Sequence, residues 1–269
     1  MSCVTLWGVV FWAGGTRALP ASVCVACASV LSYVSYIAAH DAAHGGMSRH
    51  RWLNGCVGRC CLLLLSPLFS FSAFRYLHLQ HHAATNDPSR DPDMWASSSR
   101  PWSLPLRFAS LDLAYYVFYF RRLRQRPTRE VVETLATAAL AVLGLGIALR
   151  GGWGWNVLLF WILPGRVAMF VLAWLLDYLP HQPHRIRQRD DAFRATRIRV
   201  GMEAWLSPIM LWQNYHLVHH LYPRAPFWLM VRLWRAHERW HLQQGPVMVS
   251  VSGKPLNEAE YRRRRGLAE

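Results

Sequence analysis

The sequence predicts an all-α integral membrane protein with about four transmembrane helices, a re-entrant or interfacial segment, and a cytoplasmic cap that carries clustered histidines. Three observations predict this fold class. Hydrophobic residues make up 53% of the 269 positions, and they are concentrated in long stretches without charge. The net charge of +15 comes almost wholly from arginines that lie in blocks between those stretches. Eight of the 13 histidines fall into three short clusters beside apolar sequence.

Three apolar stretches are long enough to cross a membrane as helices, since about 20 apolar residues span a hydrocarbon core of about 30 Å. They are residues 19–39, 131–149 and 155–178. A fourth stretch, residues 4–13, is only half as long and has no cationic residue before it. It is therefore a poor signal peptide, and we expect a short or partial first helix.

Two further apolar stretches do not fit a simple span. Residues 56–74 contain Ser66-Pro67 at their middle, where proline interrupts a helix, so we expect a hairpin that dips into the membrane and returns. Residues 101–120 end in a run of aromatic residues, which favour the headgroup level of a bilayer. This second stretch is expected to lie flat on the membrane.

The arginines form three main blocks, residues 121–129, 185–199 and 262–265. Their position between apolar segments is typical of loops on the cytoplasmic side, and no nucleic-acid partner is expected. Glycines at 151–154 predict a tight turn between the last two spans, which returns the chain to its starting side. The segments that carry histidines then share the cytoplasmic face of a membrane, most simply the bacterial inner membrane: residues 40–50, 75–100, 181–200 and 214–245.

The histidine clusters have spacings that suit a metal site. They are His40-x-x-x-His44, His78-x-x-His81-His82 and His216-x-x-His219-His220. Residues three and four apart share one face of a helix, so each cluster aims two or three imidazoles at one point. A zinc site needs only three or four ligands, whereas eight histidines fit two ions. Iron is favoured because imidazole suits it and zinc has no redox chemistry.

The motifs around these histidines resemble those of the membrane fatty acid desaturase superfamily, which includes acyl desaturases and related carotenoid hydroxylases and ketolases. The resemblance covers most of the chain. It rests on four segments: HDAAHG at 40–45, YLHLQHH at 76–82 with TNDP and DPD after it, LPHQPH at 179–184, and NYHLVHHLYP at 214–223.

The resemblance implies that two iron ions are bound by the clustered histidines and by one more histidine after the last span. The clustered ligands would be His40, His44, His78, His81, His82, His216, His219 and His220. Both His181 and His184 are available as the further ligand, and His181 is preferred. Other residues are candidates to bind metal or support its ligands, each with an ordinary structural alternative such as a helix cap or an interfacial charge: Asn214, Asp41 and Asp177.

Acidic residues after the second cluster, Asp87, Asp91 and Asp93, are expected to support ligands or fix the loop, because the spacing does not match a calcium-binding loop. His237 and His241 lie outside the expected ligand set, since their spacing lacks the His-Glu-x-x-His pattern.

The expected reaction uses O2 and two electrons to desaturate long-chain fatty acyl lipids reached from the bilayer. The alternative is hydroxylation or ketolation of a carotenoid ring. A metal transporter fits less well, because transporters place binding groups near the bilayer midplane on broken helices. Electrons would come from a separate carrier such as an acidic ferredoxin, attracted by the arginine-rich face. We expect a di-iron membrane domain over residues 1–245 and a polar tail over residues 246–269.

Overall fold

The computed structural model describes residues 2–98 and 100–265, and most of these are helical. The helices, in chain order, are α1 (Ser2–Gly15), α2 (Ala21–Ala43), α3 (Arg51–Leu65), α4 (Phe71–Ala84), α5 (Leu104–Ala109), α6 (Leu111–Phe120), α7 (Thr128–Arg150), α8 (Gly154–His181), α9 (Glu203–Ile209), α10 (His216–Leu221), α11 (Met230–Ala236), α12 (Glu238–Gln243) and α13 (Glu258–Arg265). The strands are β1 (Arg197–Val200), β2 (Val247–Ser250) and β3 (Pro255–Leu256).

Three of these helices, α2, α7 and α8, are long and apolar enough to cross a membrane. They match the three long spans that the sequence predicts, and α1 is the short apolar helix expected before them. Helix α8 contains two π-helical stretches, Leu158–Ile162 and Ala173–Tyr178. The protein is thus largely helical, with three candidate membrane spans among the described residues.

The chain divides into two compact units. The first unit comprises Met1–Leu79 and Arg100–Ala173, and the second comprises Gln80–Ser99 and Trp174–Glu269. The boundary between them falls twice inside helices, once in α4 and once in α8.

In the first unit, α2 packs against α1, α3 and the middle of α8. Small polar residues make the contact between α2 and α3: the hydroxyl of Ser32 donates to the carbonyl of Leu64 at 2.9 Å, and that of Ser35 to the carbonyl of Cys61 at 3.1 Å. Such residues let apolar helices approach closely and satisfy their hydroxyls between helices.

The break predicted at Ser66-Pro67 is confirmed, because α3 ends at Leu65 and α4 begins at Phe71. Both helices are tied to α7 through Glu133. Its carboxylate accepts from the Arg59 guanidinium at 3.2 Å and from the Ser72 hydroxyl at 2.7 Å. The path of this hairpin into the membrane remains a prediction, as does the flat orientation expected for residues 101–120, which form α5 and α6.

The second unit contains a small sheet, which the all-α prediction missed. Strand β1 pairs with β2 in parallel, with Arg197 opposite Val247, and β2 pairs with β3 antiparallel. The residues after 245, expected to be a polar tail, supply β2, β3 and α13, and Tyr261 of α13 is fully buried in the core of this unit. The domain boundary expected at residue 245 remains a prediction.

Candidate metal centre

Three histidines converge in the first unit. His40 lies in the last turn of α2, His44 follows its last residue, and His78 lies on α4. The Nε2 atoms of His44 and His78 are 2.7 Å apart, and the rings of His40 and His78 are 4.5 Å apart between centroids. Metal-ligating atoms of all three lie within 4.8 Å of one another. The helical spacing of the first cluster therefore does bring His40 and His44 to one point.

The second unit holds a set of four buried histidines, His81, His181, His216 and His220, with ligand atoms within 4.8 Å of one another. The Nε2 atoms of His181 and His216 are 2.8 Å apart, and those of His216 and His220 are 3.0 Å apart. The Nε2 atoms of His81 and His220 are 3.3 Å apart. His181 sits at the end of α8, so the structure places the preferred further ligand in this set.

The remaining two cluster histidines, His82 and His219, form a pair in the same unit. Their Nε2 atoms are 2.9 Å apart. The ring of His82 also stacks on that of His220, with centroids 4.3 Å apart. Every histidine of the second and third clusters within the second unit therefore has its ring nitrogen directed at another imidazole.

Oxygen atoms fix the orientation of three of these rings through Nδ1. The Nδ1 of His81 lies 2.9 Å from Asp91, and that of His216 lies 2.7 Å from the Gln213 carbonyl oxygen. The Nδ1 of His220 lies 2.7 Å from the carbonyl oxygen of Gln188. Carboxylate and amide oxygens only accept hydrogen bonds, so each Nδ1 carries a proton and Nε2 is the atom left to present a lone pair.

Charge in the second unit favours a cation at this point. Burial and the neighbouring imidazoles lower the pKa of His220, which keeps that ring neutral. Burial alone would lower the pKa of His81 as well, but the carboxylates of Asp91 and Asp93 raise it to about 9. These two buried carboxylates thus stabilise positive charge at His81, whether a proton or a metal ion supplies it.

The donor set fits a metal ion. The lone pairs on the Nε2 atoms of His216 and His220 face each other at 3.0 Å, an arrangement that is repulsive without a cation between them. Imidazole nitrogens suit iron, zinc, copper and nickel. Hydrogen bonds from the other ring nitrogen to carboxylates or carbonyls are the usual support of ligating histidines.

The predicted supporting acids occupy such positions. Asp41 lies 3.1 Å from Nδ1 of its neighbour His40. Asp91 also accepts from the backbone N–H groups of Asn86 at 2.7 Å and Asp93 at 2.9 Å, so it fixes the loop as well as the ring. Asp177 lies in the π-helical end of α8, and its role as a supporting residue remains a prediction.

Other candidates lie outside the converging set. The ring centroids of His184 and His181 are 6.1 Å apart with planes 29° apart, and burial lowers the pKa of His184 to about 4. The side chain of Asn214 donates to the carbonyl of Arg199 at 3.2 Å. The cap residue of α10 is Tyr215, which makes no side-chain cap. His241 is buried, with its ring nitrogens 3.3 Å from the Tyr222 hydroxyl and 3.3 Å from the Trp234 carbonyl, and its exclusion from the ligand set remains a prediction.

Sequence reasoning missed the two glutamines that orient ligands. Gln213 lies three residues before His216, next to the predicted candidate Asn214. Gln188 lies in an arginine-rich loop and reaches His220 across 32 residues. The three-residue spacing from His216 could have indicated Gln213, whereas no local spacing indicates Gln188.

Fold and site together define a class of largely helical protein with candidate membrane spans and buried histidine groups that could hold a metal ion. A family model described as fatty acid desaturase matches residues 6–251. The chain belongs to the fatty acid desaturase family.

Similar proteins include both desaturases and ketolases. The chain is 30% identical to a dihydrorhizobitoxine desaturase of Bradyrhizobium elkanii over 71% of its own length and 60% of the relative's. It is 28% identical to a beta-carotene ketolase of Haematococcus lacustris, over 72% of its length and 55% of the relative's. Identity to a beta-carotene ketolase of Paracoccus sp. (strain PC1) is 27%, over 80% and 79%. The chain thus spans little more than half the length of the first two.

Proposed function

We propose that this protein is a membrane-bound, non-haem di-iron oxidoreductase that uses O2 and two electrons to desaturate long-chain fatty acyl lipids. One observation carries the proposal. In the second unit, Nε2 atoms of buried histidines converge while oxygen acceptors hold the opposite ring nitrogens of His81, His216 and His220. Such a set of preoriented lone pairs is suited to a redox metal.

Two ions are proposed because the donors outnumber the needs of one. Three histidines converge in the first unit and four in the second, with His82 and His219 as an additional pair. Helix α4 contributes to both units, because His78 belongs to the first and His81 and His82 to the second. The three residues are three and four apart, so they share one face of the helix. The proposed ligands are His40, His44, His78, His81, His82, His181, His216, His219 and His220.

When bound, the irons would supply from O2 and two electrons an oxidant strong enough to break an unactivated C–H bond. The chain's own residues orient and bury the ligands. Asp41, Asp91, Gln188 and Gln213 hold the imidazoles with Nε2 available. Burial of most of these rings keeps bulk water from the proposed site.

The substrate is proposed to arrive from the lipid phase, because the candidate spans α2, α7 and α8 are long and apolar enough to cross a membrane. A separate electron carrier such as ferredoxin would approach the arginine-rich loops on the cytoplasmic side of a bacterial inner membrane. Acidic carriers suit that charge through electrostatic steering.

Ring oxidation of a carotenoid is the second candidate, favoured by the relatives named beta-carotene ketolase, one of which is covered over 79% of its length.

Expression in two hosts separates the candidates. One host makes ordinary fatty acids and the other accumulates beta-carotene, and mass spectrometry profiles both lipid classes. New double bonds in acyl chains support desaturation. Oxygenated carotenoid with unchanged acyl chains supports the second candidate, and a variant with His81→Ala is the control in both hosts.

The less favoured alternative, a metal transporter, predicts metal uptake by cells in place of any oxidised lipid. Uptake of radioactive iron that depends on His81, together with unchanged lipid profiles in both hosts, would overturn the proposed oxidoreductase.

A further inference from the structure

A row of oxidisable aromatic residues crosses the core of the second unit. Tyr215, which directly precedes His216, lies with its ring 6.3 Å from that of the fully buried Trp234. The Trp234 ring is 6.3 Å from that of Tyr261, and its indole N–H donates to the Tyr261 hydroxyl at 2.7 Å. The row therefore begins one residue from a proposed metal ligand and continues through adjacent rings.

The row also reaches the surface. The His241 ring stacks on Trp234, with centroids 4.8 Å apart and planes 10° apart. The Trp240 ring lies 5.3 Å from that of His241. Trp240 is 49% exposed, so small molecules in solution reach this end. Trp234, by contrast, is inaccessible to them.

A proton acceptor is built into the row. The Tyr261 hydroxyl donates to the carboxylate of Glu238, which is also paired with Arg265 at 3.6 Å. Burial, with the nearby Glu238 carboxylate, raises the pKa of Tyr261 to about 12, so the phenol keeps its proton at neutral pH. A tyrosine is oxidised far more easily when its proton moves to a base at the same time. Tyr261 has such a base in contact with it.

We propose that this row, Tyr215, Trp234, Tyr261 and Trp240, carries oxidising equivalents away from the metal site when O2 is activated without substrate. The proposal rests on the proposed function. Direction follows from chemistry, because tyrosine and tryptophan give up electrons to strong oxidants but are not reduced by biological electron carriers. The row is thus unsuited to bring electrons from a ferredoxin and suited to protect the histidines from unused oxidant.

The electrons and protons balance with a thiol as reductant. Trp234 gives one electron to the oxidising site, through Tyr215. Tyr261 then gives one electron to Trp234 and its proton to Glu238, which leaves a neutral tyrosyl radical. A thiol supplies one electron at Trp240 and releases its proton to water, and Glu238 returns the proton to Tyr261. After two such events the two thiyl radicals combine as a disulfide, and the two electrons, with two protons from water, would reduce one unused two-electron oxidant to water.

A first experiment needs no metal. The full-length protein in detergent, without iron, is mixed with a photoexcited ruthenium bipyridyl complex and persulfate, which oxidise exposed tryptophan. We expect a tyrosyl radical in transient absorption that is lost in Tyr261→Phe and slowed in Glu238→Gln. Trp240→Phe should abolish it as well. Trp228→Phe is the matched control, because Trp228 is 48% exposed but outside the row, and it should leave the signal unchanged.

A second experiment uses iron-loaded protein exposed to O2 and reductant without substrate. Freeze-quenched samples should show a tyrosyl radical that narrows with ring-deuterated tyrosine and disappears in Tyr261→Phe. Mass spectrometry should then find more oxidised histidine in that variant.

Failure of the first experiment overturns the row itself. A radical in the first and no iron bound in the second would contradict the proposed function and leave the row without its source. Iron bound, activity present and no radical would overturn the protective role.

Discussion

The histidines of the first unit and those of the second unit are held in place by different kinds of contact. In the first unit, Asp41 lies 3.1 Å from Nδ1 of His40, and the other contacts described are aromatic. The Phe74 ring stacks on His78 at 5.7 Å with planes 9° apart, and the Tyr36 and His40 ring centroids are 5.9 Å apart. In the second unit, oxygens of Asp91, Gln213 and Gln188 bond the ring nitrogens. Packing restrains a ring loosely in rotation, whereas a hydrogen bond fixes both rotation and tautomer. The histidines of the second unit should therefore be the more sensitive to single substitutions of supporting residues.

Loss of a proposed ligand should have the largest effect. His81→Ala or His219→Ala is expected to remove metal and activity together. Each substitution deletes an imidazole ligand at a buried position, where bulk water does not take its place. Elemental analysis of the purified protein measures this, with about two irons per chain expected in the wild type as in other two-metal sites. His237→Ala, at an exposed position, is the control. One zinc and no iron in active wild-type protein would contradict the di-iron proposal.

The next largest effect should come from Asp91→Asn, which keeps the side-chain shape but removes the charge facing His81. Loss of such a partner weakens metal affinity by about 10- to 100-fold. A competition titration of iron against a chelator measures the affinity. Asp190→Asn, at an exposed loop position that pairs with Arg187, is a matched control expected to leave affinity unchanged. Equal affinity in Asp91→Asn and wild type would mean that the carboxylate only fixes the loop.

A smaller effect is expected from Gln213→Ala, since a neutral acceptor is lost. The Nδ1–H of His216 would be left buried without its partner, which costs about 1–3 kcal/mol. Iron affinity should fall less than in Asp91→Asn, and Gln213→Glu should restore it because the acceptor oxygen returns. If Gln213→Glu binds iron no better than Gln213→Ala, the hydrogen bond is not what orients His216.

The smallest effect on metal should come from the first unit. Phe74→Leu removes a ring stacked on His78, an interaction worth about 0.5–1.5 kcal/mol beyond its buried area. We expect a lower thermal midpoint in detergent with iron content close to wild type. A loss of iron as large as that in Asp91→Asn would show that packing positions the ligands as firmly as hydrogen bonds do, and would remove the distinction between the clusters.

Local sequence determined much of the fold. Apolar length specified α2, α7 and α8, since a helix satisfies its own backbone hydrogen bonds. Ser66-Pro67 specified the break between α3 and α4, because proline has no backbone N–H to donate. Spacings of four residues aligned His40 with His44 and His216 with His220. Each of these features depends on residues within a few turns of one another, and sequence spacing reports such contacts directly.

Tertiary structure decided the rest, because the contacts involved join residues far apart in the chain. The sequence preferred His181 but left His184 open. In the structure His181 ends α8 beside His216, whereas His184 has a left-handed backbone with φ of 59° and lies outside the set. Gln188 reaches His220 only through the fold. Strand β2 pairs with β1 across about 50 residues, and this non-local pairing, with α13, buries Tyr261 in a core where the sequence alone predicted a polar tail.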